Sequence, residues 1–205
     1  MKTITRLGIG AAAGAAALAL LLTATGEKAG GTTPGRGESM AKQYQQKQPA
    51  WNELEVLPED ARADYPVKLS ENDWRERLTE AQYHILREQG TERAFSSDLY
   101  NEHREGVYYS AGTGQPLFSS DTKFESGTGW PSFWAPIDQD AVVLKQDNSL
   151  FSSRVEVVDS SSGSHLGHVF NDGPEPTGLR YCMNSAALLF VPEGGVPPRL
   201  GKEHL

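Results

Sequence analysis

The only cysteine of this sequence, Cys182, is the residue best suited to nucleophilic chemistry. It lies in the run 179–184, which has the composition of a strand. Strand alternation would place Arg180, Cys182 and Asn184 on one face and apolar neighbours on the other. A guanidinium beside the sulfur favours the thiolate, which is the nucleophilic form. The alternative is a small buried hydrophobe, because free cysteine is among the most buried residue types. The spacing alone leaves both interpretations open.

Two histidines, His165 and His168, form a second group with chemical potential. On a regular strand, side chains three positions apart point to opposite faces, but Gly167 between them permits a bulge that would turn both rings to one side. Two imidazoles near a thiol would supply proton donors near neutral pH. The sequence lacks the helical histidine pair or the cysteine pairs typical of zinc sites. The alternative is one surface histidine and one core histidine.

A loop of glycine, proline and aromatic residues at 127–134 is the third feature. Pro131 biases Trp130 towards an extended conformation. An indole with neighbouring rings can form a small socket that recognises an apolar group. The alternative is a loop that merely covers the core.

Length and composition limit the class of protein. The chain has 205 residues and a formal net charge of −8, which argues against binding nucleic acid through a general basic surface. One cysteine excludes an internal disulfide and a zinc site built from several cysteines. The 21 glycines and 12 prolines favour a fold with many turns and short strands.

The N-terminal residues 1–26 are predicted to be a targeting segment. Lys2 and Arg6 precede an apolar run over 7–24, as in a secretory signal peptide. The run is close to the minimum that spans a bilayer, so an N-terminal membrane anchor is the main alternative, and an organellar transit peptide is a third. We therefore expect an extracytoplasmic location, periplasmic or secreted. Residues 27–66 are predicted to be a linker and extended lead-in.

The fold class predicted from the remaining pattern is mainly β, or α+β, in one domain over residues 67–195 with a C-terminal tail at 196–205. Ser70 and Thr79 are candidate N-caps of two short helices, the second ending at Gly90. Short β-rich runs separated by turn signals follow at 107–109, 141–144, 150–158, 165–170 and 179–191.

Three segments, 125–133, 164–174 and 178–185, resemble in order and spacing the signature blocks of the B-type methionine sulfoxide reductases. Residues 83–93 resemble the N-terminal helix and turn of the same family. The resemblance extends from about residue 70 to 191. It implies an antiparallel, β-barrel-like core with short N-terminal helices, and stereospecific reduction of the R epimer of methionine sulfoxide, free or within proteins.

The resemblance also implies a role for each matching residue. Cys182 would attack the sulfoxide sulfur and become a sulfenic acid as methionine is released. His165 and His168 would position or protonate the oxygen, and Asn184 and Asp172 would hold the polar network.

Three further residues take roles from the same resemblance. Arg180 would favour the thiolate. Trp130, with Phe170 nearby, would receive the ε-methyl group of the substrate.

The sequence departs from the family pattern at two places. Where many members have two cysteine pairs that bind structural zinc, this chain has Ser110 and Thr113, then Asp159 and Ser162. We therefore expect no structural metal and no tightly bound cofactor.

Where many members have a resolving cysteine, this chain has Thr128. The sulfenic acid would then need an external thiol reductant, such as a thioredoxin-like protein, glutathione or another exported reductant.

Two other functions are compatible with parts of the pattern. A cysteine hydrolase could use Cys182 with His165 or His168 and with Asp172, although no oxyanion hole is evident and the Trp130 motif would be unexplained. A non-catalytic exported module could bind methionine-like side chains through Trp130.

Overall fold

The computed structural model describes residues 48–61, 64–149 and 153–198. The predicted signal peptide or anchor, most of the predicted linker and the end of the tail lie outside these residues. Within the described ranges, none of the helices has the length and apolar character needed to cross a membrane.

Two short helices precede most of the β structure, α1 over Glu71–Arg77 and α2 over Glu80–Glu88. Each begins with a capping box, in which the side chain of Ser70 or Thr79 accepts the backbone N–H three residues later. Helix α2 ends at Gln89, which adopts a left-handed conformation (φ 56°) immediately before Gly90. The predicted N-caps Ser70 and Thr79 are confirmed, as is the end of α2 at the turn that contains Gly90.

The apolar faces of both helices contribute to the hydrophobic core. Trp74 of α1 and Ile85 and Leu86 of α2 are almost completely buried. Helix α2 packs against the strand His165–Phe170 and the turn Ser185–Ala187, so it supports the part of the sheet where the candidate site residues lie.

Within the described residues, ten strands form two sheets. Their bounds are β1 Val56–Leu57, β2 Gly106–Ser110, β3 Pro116–Ser119, β4 Lys123–Phe124, β5 Ser132–Phe133, β6 Val142–Asp147, β7 Arg154–Asp159, β8 His165–Phe170, β9 Arg180–Met183 and β10 Leu188–Pro192. One sheet has the order β1-β6-β7-β8-β9-β5-β4, and the other has the order β10-β2-β3. All pairs are antiparallel except β1 with β6.

The mainly β class is confirmed, but the expected barrel-like closure is not observed. Among the described strands, both sheets are open, and β1 and β4 form the edges of the larger one. The two sheets enclose an aromatic core in which Phe118 stacks on Phe133 at a centroid distance of 4.5 Å and Tyr108 meets Phe133 edge-on at 4.9 Å. The core is therefore enclosed by two open sheets that pack on each other, and not by a closed barrel.

The predicted continuous run 179–191 is wrong, because it is two strands. A 3-10 turn over Ser185–Ala187 separates β9 from β10. The Glu92 carboxylate accepts the backbone N–H groups of Ser185 (2.6 Å) and Ala186 (2.9 Å), which satisfies the start of the turn. A residue distant in sequence thus ends β9 directly after the segment that carries Cys182.

Other strand predictions differ in extent. The run predicted at 150–158 begins at Arg154 in the structure, and residues 150–152 are outside the described part. The run at 141–144 extends to Asp147 as β6. Strands β1, β3, β4 and β5 were not predicted, because two to four residues are too few to show a period.

Candidate active site

Cys182 lies on β9 between one residue of each neighbouring strand. Arg180 and Cys182 are partly exposed, whereas Tyr181 and Met183 are buried, as the strand alternation predicts. In the sheet register, Cys182 faces Ser132 of β5 on one side and His168 of β8 on the other. Side chains directly opposite in antiparallel strands point to the same face of the sheet. A hydroxyl and an imidazole therefore flank the thiol.

The two histidines are brought together by a bulge in β8. Val157 of β7 pairs with Gly167, whereas Val158 pairs with His165, so Leu166 is the extra residue. The His165 and His168 rings consequently meet edge to face, with centroids 5.3 Å apart. The prediction that a bulge turns both rings to one side is confirmed.

Gly167 is required by the approach of β9 to this bulge. A Cβ atom at this position would lie 2.1 Å from the carbonyl oxygen of Cys182 and 3.0 Å from the Cα of Met183. Glycine therefore allows the strand with the histidines and the strand with the thiol to pair closely.

Each histidine is held by a carboxylate that the sequence reasoning missed. His165 Nδ1 is 2.7 Å from Glu156 Oε1, and His168 Nε2 is 2.8 Å from Asp147 Oδ2. Ionised carboxylates only accept hydrogen bonds, so these nitrogens carry the protons. The sequence contained one signal for this, since Glu156 lies within the apolar run of β7. A charged residue that is buried in this way needs a hydrogen-bonded partner.

The electrostatics of the His168–Asp147 pair favour a neutral ring beside an ionised acid. Burial lowers the pKa of His168 below its usual value, and the hydrogen bond to Asp147 only partly offsets this. Burial alone would raise the pKa of Asp147, but hydrogen bonds from Ser149 and His168 outweigh it and hold the pKa below the usual range. At neutral pH, His168 can therefore accept a proton.

Asp172 holds Arg180 rather than a histidine. Its two carboxylate oxygens accept hydrogen bonds from Arg180 Nε and Nη2, each at 2.8 Å. The guanidinium also lies 4.4 Å from the centre of the Phe170 ring, and that ring is 6.4 Å from the ring of His168. Asp172, Arg180 and Phe170 thus form one unit beside His168.

The thiol is not a preformed thiolate. Burial raises the pKa of Cys182, and the charge of Arg180 and hydrogen bonds from Thr128 and Ser132 oppose this without reversing it. The contribution of Arg180 has the expected sign, but desolvation is larger. The resting cysteine is therefore protonated at neutral pH.

The glycine-rich loop lies directly beside β9. Pro131 accepts the backbone N–H of Met183 at 3.0 Å. Thr128 Oγ1 is 3.9 Å from Cys182 Sγ, and Ser126 bridges Thr128 to Ser132. Thr128, which lies where many members of the similar family have a resolving cysteine, is thus close to the Cys182 sulfur.

The segment after α2 anchors Trp130. The indole Nε1 donates to the carbonyl oxygen of Glu92 at 3.3 Å, and the half-buried ring remains accessible. The backbone N–H of Phe95 donates to the carbonyl oxygen of Gly129 at 2.9 Å. These bonds hold the loop that carries the predicted apolar socket.

Asn184 does not share the face of Arg180 and Cys182. It follows the last residue of β9 and is 3% exposed, with Nδ2 donating to the carbonyl oxygen of Leu166 (3.1 Å) and Oδ1 accepting the N–H of Glu92 (3.1 Å). It therefore secures the bulged residue of β8, and acts on the histidines through the backbone.

The four positions aligned with zinc-binding cysteines form a hydrogen-bonded cluster, which we call the Asp159 cluster: Ser110, Thr113, Asp159 and Ser162. The hydroxyls of Ser110 and Thr113 each donate to Asp159 Oδ2 at 2.6 Å, and Ser162 packs alongside with its N–H on the Asp159 carbonyl oxygen. The carboxylate is fully buried. Within the described residues, no group of three or more histidine, cysteine or acidic side chains is arranged to hold a metal ion.

Comparisons with known proteins agree with this geometry. The family model described as the SelR domain matches residues 78–192. Peptide methionine sulfoxide reductase MsrB of Methanosarcina mazei is 60% identical over 131 residues, covering 64% of this chain and 94% of that protein. The MsrB proteins of Leptospira interrogans (53% over 130 residues, 63% and 99% covered) and Hahella chejuensis (49% over 124 residues, 60% and 89% covered) are also similar.

The matched region contains the thiol, both histidines and the tryptophan loop. The three signature segments, the bulge that pairs the histidines and the extensive identity to three nearly full-length relatives all lead to one family. The chain belongs to the SelR domain family of MsrB-type peptide methionine sulfoxide reductases.

Proposed function

We propose that this protein reduces the R epimer of methionine sulfoxide, free or within proteins, to methionine, with Cys182 as the nucleophile. The observation that carries the proposal is the position of the sequence's only thiol, between Ser132 and His168 on the sheet face where Arg180 lies. Family membership supplies the reaction class. The non-catalytic binding module receives no support from the comparisons, because the relatives matched over nearly their whole length are named as reductases.

The first step is attack of the Cys182 sulfur on the sulfoxide sulfur. Because the thiol is protonated at rest, it must first lose its proton, and neutral His168, directly opposite in the register, is placed to accept it. Arg180 stabilises the thiolate as it forms. Trp130 and Phe170 receive the ε-methyl group, an apolar contact that selects the thioether end of the substrate.

The second step breaks the bond between sulfur and oxygen. The proton released by the thiol reaches the sulfoxide oxygen. The bond between the two sulfurs formed in the first step also breaks, and the oxygen forms a bond to the Cys182 sulfur, so methionine departs and Cys182 is left as a sulfenic acid. The sulfur of the substrate is reduced by two electrons and the sulfur of Cys182 is oxidised by two. No proton is gained or lost overall.

Recycling requires a thiol from another molecule, because the sequence contains one cysteine. A thioredoxin-like protein or glutathione would attack the sulfenic acid and release water, and a second thiol would then reduce the mixed disulfide. We also propose an extracytoplasmic, periplasmic or secreted protein, supported by the apolar N-terminal run with its basic start. Comparing steady-state rates with thioredoxin, glutathione and dithiothreitol would identify the class of reductant.

The test of the proposed reaction is a single turnover of reduced protein with R- and S-methionine sulfoxide separately. We expect about one methionine per protein from the R epimer, loss of the thiol, and a sulfenic acid trapped by dimedone. Cys182→Ser is the matched control and should form no methionine. Bound sulfoxide without turnover of either epimer would refute the proposed reaction.

A further inference from the structure

A hydrogen-bonded chain of three side chains, which we call the Glu156 chain, supports His165: the exposed Gln89 and the buried Glu156 and His165. Glu156 Oε1 accepts from His165 Nδ1 at 2.7 Å and from Gln89 Nε2 at 3.1 Å. The side chains of Glu156 and His165 are 7% and 3% exposed. A buried carboxylate is costly unless it is paired and hydrogen-bonded, so Glu156 requires these two donors to be held in place.

The chain fixes which nitrogen of His165 is free. Glu156 accepts at Nδ1, and therefore the remaining nitrogen is Nε2. This atom is buried and has no hydrogen-bond partner among the described residues. A buried polar atom without a partner costs about 1 to 3 kcal/mol, and such atoms often have a catalytic role. The ring of His168 lies beside that of His165, 5.3 Å away between ring centroids.

Gln89 indicates that the local backbone is adapted to this chain. It adopts φ 56°, a conformation uncommon for a residue other than glycine. The position is the C-cap of α2, where the left-handed region is usually taken by glycine or asparagine. Glutamine here brings a second donor to Glu156, which neither glycine nor a shorter amide would place at the same distance.

We propose that Glu156 is a positioning residue that holds His165 as the Nδ1–H tautomer and keeps Nε2 free to relay the proton that His168 accepts from the Cys182 thiol. This inference rests on the proposed function. The proton from the Cys182 thiol passes through the histidine pair to the sulfoxide oxygen. His165 Nε2 accepts the proton and then releases it, and Glu156 stabilises the imidazolium in between. The ring ends neutral, with Nδ1–H still on Glu156.

The first experiment determines the tautomer in the unaltered protein. Long-range ¹H–¹⁵N correlation spectra of ¹⁵N-histidine-labelled protein distinguish Nδ1–H from Nε2–H, and His165→Gln assigns the signal. We expect a protonated Nδ1 and an unprotonated Nε2 at neutral pH. An Nε2–H tautomer would overturn the proposal, and this measurement depends on neither turnover nor a stable Glu156 variant.

The second experiment measures single-turnover rates of Glu156→Gln and Glu156→Asp. The amide is isosteric but can present a donor to Nδ1 and invert the tautomer, so we expect a loss of about 100-fold in the single-turnover rate with little change in the half-saturating concentration of sulfoxide. Aspartate retains the charge and should restore the rate to within about tenfold of wild type. A folded Glu156→Gln variant that keeps the wild-type rate would refute the positioning role.

Asp159→Asn is the matched control, because it removes another buried carboxylate of β7 whose oxygens accept hydrogen bonds from Ser110, Thr113 and Ser161. Below its melting temperature it should keep the wild-type tautomer and a rate within about threefold of wild type. If the unaltered protein fails to turn over, the proposed function fails, and the tautomer of His165 still reports on the positioning role.

Discussion

Replacing Asp159 by asparagine should destabilise the protein without disabling the site. The carboxylate accepts the hydroxyls of Ser110 and Thr113 on one oxygen and the N–H of Ser161, at 2.8 Å, on the other. The two hydroxyl oxygens themselves accept backbone N–H groups. Within the cluster, Asp159 is therefore the acceptor on which both hydroxyl protons depend.

The magnitude follows from counting donors that lose an acceptor. If the asparagine amide faces the hydroxyls, Ser110 and Thr113 both lose their acceptor. If it faces the opposite way, the N–H of Ser161 does. A buried donor left unpaired costs about 1 to 3 kcal/mol. The amide takes the less costly orientation, so we expect a loss of about 1 to 3 kcal/mol in the free energy of unfolding, which corresponds to a fall of roughly 4 to 12 °C in Tm.

Differential scanning calorimetry of wild type and Asp159→Asn checks this estimate, with Glu193→Gln as the control at an exposed carboxylate. EDTA should leave the Tm of the wild type unchanged, since hydrogen bonds rather than metal join the four positions. A Tm within 2 °C of wild type for Asp159→Asn would refute the structural role of the cluster. A fall in Tm on chelation would instead show that a metal contributes.

Three further substitutions test the geometry around the thiol. Thr128→Cys places a second sulfur where Oγ1 lies 3.9 Å from Cys182 Sγ, so one turnover should consume both thiols and yield a disulfide detectable by mass spectrometry; a persistent sulfenic acid would contradict it. Arg180→Met removes a charge that lowers the pKa of Cys182, so iodoacetamide alkylation near pH 7 should slow about tenfold and its pH midpoint should rise; an unchanged profile would show that Arg180 does not act on the sulfur. Gly167→Ala inserts a Cβ 2.1 Å from the Cys182 carbonyl oxygen, so we expect a loss of about 2 to 4 kcal/mol in stability together with slower turnover, and wild-type values of both would refute the close approach of the strands.

The sequence alone predicted the features that depend on a few neighbouring residues. The capping residues Ser70 and Thr79 and the breaker after Gln89 define the two helices, because a cap is a contact over three positions. Alternation on β9 correctly separated Cys182 from Tyr181, because side-chain direction in a strand has a fixed period. The motif order identified the family, which the comparisons confirm.

The tertiary structure decided the features that depend on residues distant in sequence. Asn184 and the break between β9 and β10 depend on Glu92, about 90 positions earlier. The partners of the histidines, Glu156 and Asp147, come from strands whose register a local pattern does not specify.

The protonation state of the Cys182 thiol also depends on residues distant in sequence. The sequence pattern predicted the correct sign for the effect of Arg180 on Cys182, but the net pKa of the thiol is raised because desolvation depends on every atom that surrounds the sulfur. Whether the sheets close depends likewise on how strands from the whole chain pair. The sequence therefore determined which groups do the chemistry, and only packing decided their protonation and their partners.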